Sequence, residues 1–238
     1  MKITNLYETP KCSEASAAVR FFSDGRRMCV TKDLIAEHTI AVYIDDAPVL
    51  EIACTASSLP ELVVGRLFTE GKIAGADEIE TVTIGENGER ADVVLRMAAC
   101  EASQKATRNK VAELDRNVLF AILEKAGEEL PLHRLTYAAH GAFLIDMTGV
   151  SYAAEDIGRH NAIDKVIGHL LIEGLDPKKC LIYTTGRVPL DSVNKAIRAG
   201  VAAIVSKADP TAQTVRAAHD AGLRLICRAR SDSFDLYE

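Results

Sequence analysis

Short runs of alternating apolar and polar residues, separated by turns, fill the first half of the chain. Two such runs, Thr39–Ile44 and Val49–Cys54, flank an Asp-containing turn and predict a β-hairpin. A second hairpin is predicted around the Asn87-Gly88 pair, because this dipeptide favours a type I′ turn. Residues before about 37 are only weakly periodic, and they predict a loose lead-in with one strand near Arg27–Thr31.

A segment with helical periodicity lies between the two predicted hairpins. The segment Ser57–Gly71 places Leu62, Val63 and Leu67 on one face, which predicts an amphipathic helix. Ser58 is suited to cap its N-terminus, and Gly71 can end it.

The pattern changes in the second half. A hairpin is predicted over residues 142–154, followed by a helix over His160–Glu173. Strands and helices then alternate regularly to the C-terminus. Such strand–helix–strand units predict a largely parallel sheet with helices on its faces, and therefore a three-layer α/β/α sandwich from about Leu135.

The stretch between these halves, Ala98–Leu114, is small, polar and charged, and a helix is predicted over Asp115–Ala126. We therefore divide the chain into a smaller α+β part, residues 1–130, and an α/β/α domain, residues 131–238. Residues around Cys100 are expected to be exposed, because they offer no apolar face to bury.

Composition narrows the function classes. The chain of 238 residues carries a net charge of −6, which argues against general nucleic-acid binding because phosphate neutralisation needs a basic surface. No stretch reaches the length of a membrane-spanning helix, and the N-terminus lacks the apolar core of a secretory signal. We expect a cytoplasmic protein that binds neither nucleic acid nor membrane.

The six cysteines are widely spaced and form no CxxC pair, so no zinc site is predicted. Cys12 and Cys100 lie in polar stretches where a thiol could react. The other cysteines lie in apolar runs, where cysteine is usually a small core residue; these are Cys29, Cys54, Cys180 and Cys227.

Candidate binding residues follow the predicted strands of the second half. Ligands of such sheets bind at the carboxyl ends of the strands, and the three strand exits carry cations or hydroxyls, a composition suited to an anion. The string EDIGRHNAIDKVIG, Glu155–Gly168, starts the predicted helix with Arg159, which can clamp a phosphate, and His160, which can move a proton. Asp164 and Lys165 are expected to be a surface pair on that helix.

This string resembles the signature of FdhD, a family of formate dehydrogenase accessory sulfurtransferases. The segments TTGRVPLDSVNKAIRAGVAAIVSKADPT, AGLRLICRARSDSFDLY and VVGRLFTEGKI also resemble family segments, in the same order along the chain. The resemblance covers roughly Glu37 to Tyr237. Several co-linear segments are more specific than one motif.

The resemblance implies a fold similar to that of cytidine deaminases, a homodimer, and a role in sulfur transfer. Members take sulfur from a cysteine desulfurase and hold it as a persulfide on a loop cysteine, which is Cys100 here. They pass it to the molybdenum cofactor, a bis(molybdopterin guanine dinucleotide) that formate dehydrogenase needs, and a guanine nucleotide can serve as a mimic. We expect the cofactor to bind at the predicted helix start and strand exits, and the candidate residues there are Arg159, His160, Asn161, Gly186, Arg187, Lys207, Arg228, Ala229, Arg230, Ser231, Asp232 and Ser233.

The chain departs from the family pattern at the loop. The usual Cys-Gly-x-Cys-Gly-Lys is CEASQK here, so Ser103 stands where a second cysteine is usual. One thiolate can still accept and donate sulfur, so sulfur transfer remains the main hypothesis. The alternative is a non-catalytic chaperone that binds and delivers the cofactor. A zinc deaminase is excluded because its H-x-E and P-C-x-x-C elements are missing. A third alternative is a guanine-nucleotide-binding or regulatory protein, which would not be a P-loop NTPase because the GxxxxGK[ST] motif is missing.

Overall fold

The computed structural model describes residues 1–8, 11–96, 119–121, 123, 130–146 and 149–237. Its elements, in chain order, are β1 (Lys2–Asn5), β2 (Ser13–Phe21), β3 (Arg27–Ile35), β4 (His38–Ile44), β5 (Ala47–Cys54), α1 (Leu59–Thr69), β6 (Ile79–Ile84), β7 (Arg90–Leu95), α2 (Pro131–Thr136), β8 (His140–Asp146), β9 (Gly149–Asp156), α3 (Arg159–Ile172), β10 (Leu181–Thr184), α4 (Leu190–Ala199), β11 (Ala203–Ser206), α5 (Ala212–Ala221), β12 (Arg224–Cys227) and β13 (Asp235–Tyr237).

The first half forms a five-stranded sheet in the order β1-β6-β7-β4-β5. Both predicted hairpins are confirmed as antiparallel pairs, β4 with β5 and β6 with β7. Asp45 and Asp46 both have positive φ, at 48° and 65°, as a tight type I′ turn requires. In the second hairpin Gly88 has a φ of 71° but Asn87 does not have a positive φ, and the Gly88 amide donates to the Gly85 carbonyl at 2.9 Å, so the type I′ turn predicted at Asn87-Gly88 is wrong.

Two expectations for the first half are wrong. The lead-in contains three strands rather than one: β1 pairs in parallel with β6, and β2 pairs with β3 in a separate two-stranded sheet. Ser58 does not cap α1 through its side chain: its backbone is left-handed, with a φ of 51°. Its hydroxyl instead accepts a hydrogen bond from the Tyr152 hydroxyl at 2.8 Å, so it joins α1 to β9.

The second half forms a six-stranded sheet in the order β13-β12-β11-β10-β8-β9. Only β10, β11 and β12 run parallel to each other, whereas β8, β9 and β13 pair antiparallel. The expectation of a largely parallel sheet is therefore wrong, because the β8–β9 hairpin and the C-terminal tail extend the sheet at both sides. The fold class, mixed α/β, is confirmed.

Residues that alternate along β8 and β10 are buried on opposite faces of this sheet. Ala142, Leu144 and Ile182 belong to a core that also contains residues of α1, α3, α4 and the five-stranded sheet. Phe143 and Tyr183 point to the opposite face, where Leu119, Leu123 and Leu130 are among the covering residues. The larger core thus runs without a break from one sheet to the other.

Helices α1 and α3 cross in close contact at the centre of this core. A Cβ atom at Gly65 would overlap the Asp164 carbonyl oxygen, and one at Gly168 would overlap the Glu61 carbonyl oxygen. Glycine at both positions lets the two backbones touch, so α1 fixes the position of α3 and of the helix start that follows β9.

Candidate functional site

The carboxyl ends of the three parallel strands are joined by hydrogen bonds at one edge of the sheet. The Lys207 amide donates to the Thr184 carbonyl at 3.3 Å, and the Ser206 hydroxyl donates to the Gly186 carbonyl at 2.9 Å. The Ala229 amide donates to the Ser206 carbonyl at 3.0 Å. These bonds place the exits of β10, β11 and β12 side by side, as the sequence predicts.

The exit of β12 is a strained, cationic turn. Arg228 has a φ of 50°, and its exposed guanidinium lies 3.9 Å from carboxylates of both Asp209 and Asp235. Arg230 donates from Nη1 to the Lys207 carbonyl at 2.6 Å, and its amide donates to the Ser233 carbonyl at 2.8 Å. The remaining predicted residues of this turn, Ser231, Asp232 and Ser233, are exposed.

Arg187 and Lys207 are the two cations of this edge that are most available to a ligand. Both are exposed, and neither forms an ion pair with the residues that the structure describes. A ligand carrying phosphates can therefore approach them without displacing a protein carboxylate.

Arg159 and His140 meet above Gly186. A Cβ atom at Gly186 would lie 3.1 Å from the Arg159 Cβ and 3.6 Å from the His140 Nδ1. The Arg159 Nε is buried, and no hydrogen-bond partner for it exists in the described part of the chain. A buried donor without a partner is unfavourable, so this atom is suited to an acceptor supplied by a ligand.

His140 is absent from the residues predicted to bind the cofactor, although it lies at the same edge. Its burial, together with the nearby charges of Arg159 and His133, lowers the pKa of its imidazole below the ordinary value. The ring is therefore neutral at pH 7 and can accept a hydrogen bond or a proton. Its signal in the sequence is the segment TYAAHGA, Thr136–Ala142, which resembles the Thr-Gly-Gly-x-His element of the FdhD family and keeps the histidine.

His160 faces a different cleft. Its Nδ1 lies 2.9 Å from Asp191 Oδ2, out of line for a hydrogen bond, and both residues line a cavity of about 480 Å³ between α1, α3 and the start of α4. Burial lowers the pKa of His160, while Asp191 opposes that shift. His160 thus sits beside α4, and Arg159 sits beside Gly186.

The Asn161 side chain forms hydrogen bonds within the protein. Its amide donates to the Ala53 carbonyl at 2.7 Å and to Asp156 Oδ1 at 2.8 Å, and its oxygen accepts from Arg66 Nη2 at 2.6 Å. These bonds join the start of α3 to β5 and α1. In this structure Asn161 positions the helix that carries Arg159.

A fully buried ion pair lies beneath the start of α3. Lys165 Nζ lies 2.7 Å from Asp156 Oδ2 and also donates to the Glu155 carbonyl at 2.9 Å and the Thr55 carbonyl at 3.2 Å. Asp156 in turn accepts hydrogen bonds from the Thr55 and Gly158 amides. Both charged groups have an ion-pair partner and hydrogen bonds, so the network holds the β9–α3 junction in one conformation.

The expectation that Asp164 and Lys165 form a surface pair is wrong. Both side chains are fully buried, and they belong to different networks. Asp164 accepts two bonds from Lys195 Nζ, at 2.9 and 2.8 Å, and one from the Thr69 hydroxyl at 2.8 Å, and it lies 2.7 Å from Arg66 Nε. The close crossing of α1 over α3 encloses both residues, and periodicity of α3 alone does not show that crossing.

The cysteines divide by burial. Cys54, Cys180 and Cys227 are buried as predicted, and burial raises the pKa of Cys54 to about 12. Cys29 is exposed, which corrects the prediction of a core residue, because β3 does not join either large sheet. Burial also raises the pKa of Cys12, which therefore stays protonated at neutral pH. Cys100 and its loop lie outside the described residues.

Comparison with known proteins decides the family. The family model of FdhD/NarQ proteins matches residues 35–113 and 95–238. The chain belongs to the FdhD/NarQ family. It is 32% identical over 231 residues to the sulfur carrier protein FdhD of Sulfurisphaera tokodaii, an alignment that covers 87% of this chain and 91% of the relative. It is 30% identical over 218 residues to the protein FdhD of Methanocaldococcus jannaschii, covering 90% and 92% of the two chains.

A solved structure shares the fold. It comes from Desulfotalea psychrophila and is described as a formate dehydrogenase accessory protein. The two chains are 25% identical, with a TM-score of 0.85 and coverage of 96% of this chain and 97% of that one. This FdhD/NarQ chain therefore keeps the overall arrangement of that structure despite its altered loop motif.

The sequence predicts neither a metal site nor a membrane-spanning helix. Within the described ranges, no three His, Cys, Asp or Glu side chains are grouped as a metal site would require. None of the helices that the structure describes is long and apolar enough to span a membrane.

Proposed function

We propose that this FdhD/NarQ protein is a sulfur carrier for the molybdenum cofactor of formate dehydrogenase. It takes sulfur from a cysteine desulfurase, holds it on Cys100 and passes it to the bis(molybdopterin guanine dinucleotide). It acts in the cytoplasm as a homodimer. The observation that carries the proposal is the edge at Gly186, where a family signature residue, Arg159, meets the exits of three parallel strands.

Sulfur loading needs one nucleophile and no external oxidant. The Cys100 thiolate attacks the terminal sulfur of a desulfurase persulfide, a new S–S bond forms at Cys100, and the desulfurase thiolate leaves. Lys105, Arg108 and Lys110 follow Cys100 in the sequence, and neighbouring cations favour the thiolate form. The three cysteines buried in the core are poorly suited to this role because their thiols stay protonated.

The edge at Gly186 fits a guanine dinucleotide. Pyrophosphate oxygens are acceptors for guanidinium and ammonium groups, and Arg159 Nε, Arg187 and Lys207 are unpaired donors among the described residues of this edge. Glycine at position 186 lets Arg159 and His140 pack against this edge, since a Cβ atom there would lie 3.1 Å from the Arg159 Cβ.

The cofactor edge is tested with guanosine diphosphate as a probe. Arg187→Ala should weaken binding by about 1–3 kcal/mol, the scale of a charge-assisted hydrogen bond, as measured by calorimetry at fixed salt. Arg216→Ala is the matched control, because Arg216 is exposed on α5 and does not lie at a strand exit. Equal affinity of the wild type and Arg187→Ala would refute the proposed edge.

A chaperone without sulfur chemistry is the second candidate, favoured by one observation. Ser103 replaces the usual second cysteine, so no resolving thiol follows Cys100 within the loop motif. Such a chaperone would bind guanosine diphosphate at the same edge but would acquire no sulfur from a desulfurase. Measuring both properties on one preparation separates the two candidates.

A further inference from the structure

A mainly apolar pocket lies beside the exit of β12. Its volume is about 390 Å³, and it is lined by Phe120, Ser233, Phe234 and Leu236. The Phe120 and Phe234 rings are in contact, with their centroids 5.2 Å apart and their planes tilted by 41°. Leu236 is 44% exposed on β13, although it is a large apolar side chain. A concave site with aromatic and aliphatic walls is typical of ligand binding.

This pocket adjoins the cationic turn of the candidate site. Cys227 at the end of β12 pairs with Asp235 at the start of β13. Because the two strands are antiparallel, Arg228 and Phe234 are the next residues beyond this pair, at the same end of the sheet. An aromatic wall and an exposed guanidinium therefore lie at one sheet end, which suits a ligand that carries both a flat ring and a negative charge.

The lining of the pocket favours recognition by stacking. Among its four lining residues only Ser233 has a polar side chain, and its hydroxyl donates to Asp232 Oδ1 at 3.0 Å. Aromatic side chains bind nucleic-acid bases by stacking on their flat faces. A purine ring therefore fits the chemistry of this pocket.

The distance to the phosphate-binding cations also suits a nucleotide. Strands β10 and β12 are separated by β11 alone, so their exits lie about 10 Å apart. In a nucleoside diphosphate one ribose joins the base to the phosphates. A base in the pocket beside β12 can thus leave its phosphates near Arg187 and Lys207, at the exits of β10 and β11.

We propose that the pocket of Phe120, Ser233, Phe234 and Leu236 binds the guanine base of the ligand whose phosphates lie at the edge at Gly186. This inference rests on the proposed function and adds the side chains that hold the base. Phe234 is the main contact, because its ring lines the pocket, touches Phe120 and directly follows the cationic turn.

Removing the Phe234 ring tests the pocket with two probes. Phe234→Ala should weaken binding of guanosine diphosphate about tenfold, the scale of one base stacked on an aromatic ring, and should leave the affinity for inorganic pyrophosphate within about twofold. Tyr43→Ala is the matched control, because Tyr43 is also a half-buried aromatic residue but lies on β4 in the other sheet. Calorimetry at fixed salt measures each affinity, and circular dichroism checks that each variant is folded.

A fluorescent side chain tests contact with the base directly. The chain contains no tryptophan, so Phe234→Trp introduces a single indole into the pocket. Guanosine diphosphate should quench its emission by stacking, whereas pyrophosphate should not, and Tyr43→Trp should respond to neither probe. This measurement decides the proposal even where Phe234→Ala does not fold.

The base pocket and the phosphate edge fail in different ways. Unchanged guanosine diphosphate affinity in folded Phe234→Ala, or an unquenched Phe234→Trp, would overturn the base pocket even where Arg187→Ala weakens binding. Equal losses of guanosine diphosphate and pyrophosphate affinity in Phe234→Ala would also overturn it, because they would show a general loss of the turn. Insensitivity of both probes to Arg187→Ala would instead refute the phosphate edge of the proposed function.

Discussion

Replacing Lys165 with methionine tests whether the buried network holds the β9–α3 junction. Methionine keeps much of the side-chain volume and removes the ammonium group. Asp156 is then left fully buried without its counter-charge, and the Glu155 and Thr55 carbonyls each lose a donor. Breaking a buried ion pair from one side costs about 3–5 kcal/mol, so the free energy of unfolding should fall by about that amount.

Urea unfolding followed by circular dichroism measures this change. Lys178→Met is the control, because Lys178 is exposed and its ammonium forms no ion pair with the described residues, and it should change stability by less than about 0.5 kcal/mol. The double variant Asp156→Asn/Lys165→Met removes both charges and should recover part of the loss. A loss below about 1 kcal/mol in Lys165→Met would refute the view that this pair is buried and structural.

Two further predictions concern the crossing and the neutral histidine. Gly168→Ala should destabilise the protein by about 1–3 kcal/mol or more in urea unfolding, because its Cβ would overlap the Glu61 carbonyl, whereas Gly85→Ala, with 3.6 Å to its nearest neighbour, should change stability by less than about 1 kcal/mol. Burial beside Arg159 lowers the pKa of His140, so the unfolded chain binds more protons and stability should fall as the pH drops below about 6.5. His140→Gln should reduce that fall in urea unfolding between pH 7.5 and 5.5, and an unchanged pH dependence would contradict the assignment.

Sequence predicts the elements whose own residues determine them. Both hairpins of the first half follow from alternation and turn residues, and α3 follows from its apolar period. Of the β2–β3 pair, the strand predicted near Arg27–Thr31 is confirmed as part of β3, whereas β2 was missed. Neither face of this pair is buried in a core, so its pattern lacks the clean alternation that marks a strand with one buried face.

The candidate site was predicted only in part. Gly186, Lys207 and Arg230 meet because the ends of parallel strands share an edge, which is a property of topology. The burial of Lys165 and the separate cleft of His160 depend on how α1 and α4 pack against α3, and residues far apart in the chain decide that packing.

The central claim is that Cys100 carries sulfur, and intact-mass measurement tests it most directly. The protein is incubated with a cysteine desulfurase and cysteine, then analysed without reductant beside Cys100→Ser and Cys29→Ser. The account predicts that the wild type and Cys29→Ser each gain the mass of a sulfur atom, that Cys100→Ser gains none, and that Cys100→Ser still binds guanosine diphosphate. An unmodified wild type, or an adduct that persists in Cys100→Ser, would contradict it.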